Sequence, residues 1–283
     1  MNPWVGLFLV ALTGGAIAVL GWWLLIATEG VYLGRRVVVL LYDLYARRYD
    51  KIKDYYREYE QRYLAQPIME KIAPHQSPLV LDVATGTGRL PLALMRHERF
   101  QGRVVAVDLS RQMLSQGVKN LYVFDDRVTF IWSPAEDLPF PDDSFDVVTC
   151  LEALEFMVNS QAVLCELVRV LRPGGLLLIT QRINTKLMPG KTWTGGQTLA
   201  ALEKCGITDA NAQIWQVDYR KVWGRKAGDA PAVGSRPLAE TLRCPACQES
   251  LMVEQDGRWH CPHCAKEAAV GDDGVIELFP LYR

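Results

Sequence analysis

Charge is missing where a soluble enzyme would carry it: residues 1–34 contain no Lys or Arg, and residues 4–28 no charged residue at all. A cleaved secretory signal needs a basic start and a shorter apolar stretch, so that reading is excluded. A buried core helix is disfavoured too, because nothing polar interrupts the run to give a face for water. What remains is 25 residues rich in Leu, Val, Ala and Trp, which at about 1.5 Å per residue would cross a hydrocarbon core of ~30 Å with some tilt. Trp4 at one end and Trp22, Trp23 and Tyr32 at the other suit the two interfacial aromatic belts. The expectation is a single-pass transmembrane helix in segment 1–34. Arg35, Arg36, Arg47, Arg48, Lys51 and Lys53 follow it closely, which places the bulk of the chain on the cytoplasmic side of the cell membrane, with this basic cluster against anionic headgroups. A dominant sign of charge is also absent overall: 31 Lys and Arg against 32 Asp and Glu give a net charge of −1, and with it no general bias toward nucleic acid.

At 283 residues and 49% hydrophobic content, the chain has room for one α/β domain of ordinary size with appendages. The expected parts after the span are a juxtamembrane helical segment over 35–70, an α/β domain over 71–226, a Gly/Pro/Ala-rich linker over 227–240 and a small closing domain over 241–283. Residues 79–83 form a short apolar run that ends at a Gly-rich turn (ATGTG, 84–88), and residues 90–96 follow with helical apolar spacing. Gly86 and Gly88 let the backbone turn sharply and approach a ligand closely, while the helix start offers unpaired N–H groups. Asp108 ends the next strand (VVAVD, 104–108), where a carboxylate can accept both hydroxyls of a ribose. A nicotinamide or flavin fold would share this pair of units. A tight turn at Gly86 and Gly88 with Asp108 as a helix cap is the bland alternative.

Further motifs separate the options: SPAEDLPFPDDSFDVVTC over 133–150 and LRPGGLLLIT over 171–180. In this order the motifs closely resemble class I S-adenosylmethionine-dependent methyltransferases of the type 11 group, which includes the ubiquinone and menaquinone biosynthesis methyltransferases. The resemblance covers roughly residues 42 to 226 and implies a Rossmann-like, doubly wound, mostly parallel sheet of seven strands. It implies that Asp82, Ala84, Gly86 and Gly88 hold the methionine part of the cofactor, that Asp108 holds the ribose, and that Leu109, Met113, Ala135 and Glu136 border the adenine. The family usually has Asp before that Ala, where this chain has Pro134, a side chain with no group for the adenine amine. The substrate-facing segment after the fourth strand makes Glu152 and Glu155 candidate catalytic carboxylates; the alternative is that both merely open a helix, well placed against its dipole. The family's Tyr-Asp lid segment is matched by Tyr42, Asp43, Tyr49 and Asp50, on a helical stripe of Tyr42, Tyr45, Tyr49 and Ile52. The loop 183–196 is the place for substrate specificity, and 214–226 reads as the closing antiparallel strand.

Cys244, Cys247, Cys261 and Cys264 form two C-x-x-C knuckles, a pattern that places four thiolates around one structural Zn²⁺. His260 and His263 are then not ligands. A segment this small needs the metal for much of its folding free energy. It resembles the zinc ribbons that bind and activate tRNA and protein methyltransferases. Four cations against seven acids over 241–283 speak against direct nucleic-acid contact and for a protein partner or docking onto the catalytic domain. Cys150, Cys165 and Cys205 read as buried small hydrophobes.

Methyl transfer is a direct displacement that needs alignment and, for a protonated nucleophile, a base. The leading reading is a membrane-anchored methyltransferase for a lipid, quinone-like or other small hydrophobic substrate. The alternatives are an RNA or protein methyltransferase with the ribbon as adaptor, and a non-catalytic cofactor-binding scaffold. The Asn/Asp-Pro-Pro-Tyr signature of amino-directed nucleic-acid methyltransferases is absent.

Overall fold

The computed structural model describes residues 3–53, 57–183 and 186–282. The side chain of Ile52 and residues 184 and 185 of the loop, both named above, lie outside the described residues. Helix α1 (Pro3–Trp22) runs into a wider turn at Trp23–Ala27. Together they form one helix of 24 residues over Trp4–Ala27, long and apolar enough to cross a membrane and nowhere buried. After residues 28–34 come α2 (Arg35–Lys53), α3 (Arg57–Glu60) and α4 (Gln66–Ile72).

The catalytic-domain sheet is built from β1 (Leu79–Val83), β2 (Arg103–Asp108), β3 (Val128–Trp132), β4 (Phe145–Cys150), β5 (Leu171–Arg182), β6 (Ile207–Ile214) and β7 (Tyr219–Lys226). Helices α5 (Arg89–Met95), α6 (Arg111–Asn120), α7 (Ser160–Val170) and α8 (Gly195–Lys204) connect them. The strand order is β6-β7-β5-β4-β1-β2-β3, parallel except for the pairings of β7 with β5 and β6. Every residue of β1 and β4 is buried, as expected of parallel strands covered on both faces. Side chains start the helices: Ser110 accepts from Met113 N before α6, Asn159 from Ala162 N before α7, and Thr194 with Gln197 makes a capping box before α8.

The C-terminal strands β8 (Val253–Gln255), β9 (Arg258–His260), β10 (Glu267–Val270) and β11 (Ile276–Glu277) do not stand apart. β11 pairs in parallel with the edge strand β3, through Ile276 with Ile131 and Glu277 with Trp132, so the ribbon extends the same sheet and covers an edge that would otherwise be open.

Three features differ from the sequence reading. The single closing strand over 214–226 is a hairpin: β6 precedes β7 on the sheet edge, mostly exposed, with Ala210, Ala212 and Ile214 alternating against Asp209, Asn211 and Gln213, an alternation whose small apolar side chains give little signal. The 227–240 linker is tied down through backbone groups, with Val233 N and Gly234 N donating to Asp146 and Arg172 to Ala230 O. Cys165 and Cys205, expected as separate buried thiols, are joined in a disulfide between α7 and the end of α8, with Cα atoms 4.9 Å apart; their 40-residue separation hid the pairing.

Candidate functional site

The strand order reverses beside β1, with β2 and β3 to one side and β4 and β5 to the other. Open α/β sheets hold ligands in the crevice at such a point, beyond the strands' carboxyl ends. The turn that leaves β1 there has Ala84, Gly86 and Gly88 at φ of 56°, 57° and 81°. Gly88 is required twice, by its φ and because a Cβ would come 2.5 Å from Leu121 Cδ1. Asp82 braces this turn from below, accepting from Thr85 Oγ1 at 2.7 Å and Thr149 Oγ1 at 2.6 Å. Its burial pushes the carboxyl up to about 6. Asp108 joins the two loops, accepting from Gly86 N and Ser110 N, each at 2.8 Å. Burial pushes it also to about 6, against the pull of those N–H groups.

Above these loops lies a cavity of about 790 Å³, part of it open to solvent. Of the residues singled out for the cofactor, Ala84, Gly86, Asp108, Leu109, Ala135 and Glu136 line it together. Asp82 lies beside it, in a small pocket shared with Glu152. Gly88 faces a different hollow, beside α5, and Met113 is fully buried beneath the loops.

The roof is α2. Tyr42 and Tyr49 face the cavity, and two carboxylates fix the helix above it. Asp43 accepts from Ser110 Oγ at 2.5 Å and Gln112 N at 3.1 Å, and Asp50 from Thr87 Oγ1 at 2.5 Å and Asn120 Nδ2 at 2.9 Å. The two clamps sit on the two loops that line the cavity floor. The end of the apolar helix and the segment before α2 also reach the loop after β5: Trp23 Nε1 donates to Leu187 O at 3.0 Å and the Tyr32 hydroxyl to Pro189 O at 2.7 Å, with the two rings stacked.

The structure separates the two candidate carboxylates. Glu152 reaches the cavity, paired with Arg89 at 2.6 Å and Lys53 at 3.3 Å. Its backbone is held at φ 52° by a hydrogen bond from its N–H to Thr180 Oγ1, an unfavourable conformation of the kind that clusters at functional sites. Glu155 points elsewhere, into a small pocket beside the 191–193 loop, where it accepts from the Tyr219 hydroxyl at 2.5 Å. Burial raises its carboxyl, partly offset by that bond.

The outer wall comes from the ribbon. The Tyr282 hydroxyl bonds Ser133 Oγ and Asp137 O, each at 2.8 Å, so it clasps the segment that carries Ala135 and Glu136. Phe279 packs on Trp132, whose Nε1 donates to Leu109 O. Arg111 at the start of α6 binds Asp273 and Glu277. Tyr282, Trp132 and Arg111 were not singled out in the sequence; Tyr282 lies 149 positions from Ser133, and no local spacing records that pairing. At the ribbon's knuckles the four thiols of Cys244, Cys247, Cys261 and Cys264 lie within 4.8 Å of one another, with pairs at 3.5 and 3.7 Å. Ligand sulfurs about 2.3 Å from a tetrahedral ion are about 3.8 Å apart, so the set fits one such ion. His260 turns to Glu267.

Residues 81–179 match a family model described as a methyltransferase domain, and residues 241–279 match one described as a domain of unknown function, DUF8512. The ubiquinone/menaquinone biosynthesis C-methyltransferase UbiE of Hahella chejuensis is 34% identical over 146 residues, 51% of this chain and 59% of that protein. The demethylmenaquinone methyltransferase of Clavibacter sepedonicus is 44% identical over 110 residues, 39% of this chain and 43% of that protein. The chain thus spans about half the length of these curated relatives. Among solved structures, a chain from the complex between the Haloferax volcanii Trm112 methyltransferase activator and a methyltransferase has a TM-score of 0.55 at 19% identity, over 67% of this chain and 97% of that one. The [4+2]-cyclase SpnF has a TM-score of 0.51 at 19% identity, over 60% and 81%, so this fold alone does not fix the reaction. The motifs, the family match and the sheet topology agree that the chain carries a class I S-adenosylmethionine-dependent methyltransferase domain.

Proposed function

We propose that this protein is a membrane-anchored methyltransferase that transfers the methyl group of S-adenosylmethionine to a lipophilic, quinone-like acceptor at the cytoplasmic face. One observation carries the reading. Only residues 28–34 separate the helix that roofs the cofactor cavity from the apolar helix, and the loop after β5 is hydrogen-bonded to the end of the apolar helix through Trp23 and to the turn through Tyr32. An acceptor dissolved in a bilayer would therefore meet the cavity at the membrane surface. The relatives' names supply the acceptor class.

The cofactor fits the residues present: Gly86 leaves room at the turn, the Asp108 carboxylate lines the cavity beside its backbone N–H partners, and Leu109 and Ala135 offer apolar walls. Bound, it would supply a methyl group activated on a sulfonium, and the chain's part is to align the acceptor and exclude water. Tyr42 and Tyr49 close the cavity from above. Glu152 is the carboxylate placed to accept a proton from the acceptor, and Arg89 and Lys53 hold it in position. Cys244, Cys247, Cys261 and Cys264 hold a structural Zn²⁺. The cytoplasmic assignment rests on the basic residues after the span; the Cys165–Cys205 disulfide is of a kind rare in that compartment, so alkylation of cellular protein that finds both thiols free supports the assignment and a persistent disulfide argues against it.

A second reading, an RNA or protein methyltransferase that uses the ribbon as adaptor, is favoured by the Trm112 complex among the structural neighbours. Here the ribbon is spent on its own domain's edge strand. The test is radiolabelled S-adenosylmethionine with the detergent-solubilised protein and a native extract. Label in the lipid fraction supports the proposal, label in RNA or protein overturns it, and cofactor binding without transfer points to a scaffold.

A further inference from the structure

The face of α2 turned away from the cavity carries chemistry that the methyl-transfer site does not use. Arg36, Leu40, Leu44, Arg47, Arg48 and Lys51 fall within one side of the helix at 100° per residue, and all are exposed, Leu40 by 56% and Leu44 by 70%. The sorting of charge along α2 is complete among the described residues. Its two acids, Asp43 and Asp50, are both consumed by the cavity loops. Arg35 and Lys53 face inward to Glu136 and Glu152. Of the four remaining cations, Arg47, Arg48 and Lys51 lie on the exposed face and Arg36 also borders a hollow shared with Asp43 and Tyr282; none has a carboxylate partner among the described residues. Two leucines set among four cations are the pattern of a helix that lies in a membrane interface, and only residues 28–34 separate it from a helix able to span the bilayer.

The geometry points to α2 as a two-sided lid: anionic lipid headgroups bind its outer stripe, and that contact closes the cofactor cavity. The inference rests on the membrane-anchored reading and adds its regulation. A surface can shift the lid only if it favours one state over the other. Off a membrane, the exposed cations have no counter-surface, and the cost of ordering the lid falls on cofactor binding. On an anionic surface these charges are paired, Leu40 and Leu44 are seated, and Tyr42, Asp43, Tyr49 and Asp50 are already presented to the domain. The ordering cost is then met before the cofactor arrives, which is positive coupling between lipid and cofactor. Zwitterionic lipid lacks the complementary charge. An acidic protein on the same stripe would leave cofactor binding insensitive to lipid.

The experiment is calorimetric titration of S-adenosylhomocysteine into the full-length protein in nanodiscs of phosphatidylcholine alone or mixed with phosphatidylglycerol. The expected result is about tenfold tighter binding with the anionic lipid, within the usual range of coupling between sites. The difference should vanish in the R36E/R47E/R48E/K51E variant, and in the wild type it should shrink as salt screens the surface. Equal affinity in the two lipids, or a preference that survives charge reversal or high salt, overturns the proposal. The salt titration needs no variant, so a misfolded mutant leaves the test intact. No methyl acceptor is present, so a failed acceptor assignment does not affect the outcome, and alkaline extraction of cell membranes checks the anchor separately.

Discussion

Asp108 is the residue on which cofactor binding and fold stability should respond to pH in opposite directions. Burial pushes its carboxyl from 3.8 up to about 6, and the proposed role requires the ionised form, which accepts hydroxyl donors. With that value, about nine-tenths of the group is ionised at pH 7 and about one-tenth at pH 5, so affinity for S-adenosylhomocysteine should fall about tenfold between them. Stability moves the other way. A group whose folded value lies above its unfolded one stabilises the fold below the unfolded value, and that contribution is lost as pH rises through the folded value. A raise from 3.8 to about 6 corresponds to up to about 3 kcal/mol, an upper figure because the residue opens partly toward the cavity. Asp82 is raised as well, in part by the Asp108 charge itself, so the readout is the difference between wild type and Asp108→Asn, which reports Asp108 together with its share of the Asp82 shift. Chemical denaturation across pH 4 to 7 should show that difference moving in favour of wild type as pH falls. Titration calorimetry should show a sloping affinity for wild type and a weak, flat one for the variant. A wild-type affinity independent of pH over this window would refute the role assigned to Asp108.

Removing metal from the ribbon with a chelator should release one zinc per chain by elemental analysis, expose buried Trp259 to quenchers, and weaken S-adenosylhomocysteine binding, because Tyr282 and Phe279 lose their support. Arg111→Met should cost about 1–3 kcal/mol in denaturation at neutral pH. The Arg111 guanidinium holds Asp273 well below the usual carboxylate range, so this contribution is present above the unfolded carboxylate value and is lost as pH falls. Glu152→Gln should lower the rate of methyl transfer at least tenfold, about 1.4 kcal/mol in barrier, with cofactor affinity nearly unchanged; Glu155→Gln should instead lower the melting temperature, and the reverse pattern in a parallel assay would exchange the two roles.

The parts read most directly from the sequence are those whose signal is local. The Gly-rich turn needs positive φ at Gly86 and Gly88, and only a few residue types tolerate that, so the demand is visible as sequence. The buried strand β1 has to be apolar on both faces, and the four cysteines have to sit in pairs. Met113 shows the limit of motif transfer: it holds the expected position in the chain, yet it faces the core rather than the cavity. β6 escaped because its alternation is carried mainly by two alanines on an exposed edge, too small an apolar signal to stand out.

What the sequence could not show is that three independently readable segments converge on one cavity. Asp43 of the lid meets Ser110 across 67 positions, Tyr282 meets Ser133 across 149, and Arg111 meets Asp273 across 162. Each contact is a polar pair between surfaces that are brought together by packing elsewhere: α2 lies on α6, and β11 completes the edge of β3. A hydrogen bond of this kind contributes about 1 kcal/mol and imposes no periodicity on its neighbours, so it leaves no trace in hydrophobic pattern or spacing. The consequence for function is specific. The cavity's roof is α2, which precedes the sheet, and its outer wall is the ribbon, which follows it, so an isolated 71–226 fragment should bind cofactor far more weakly than the whole chain, even where its sheet folds.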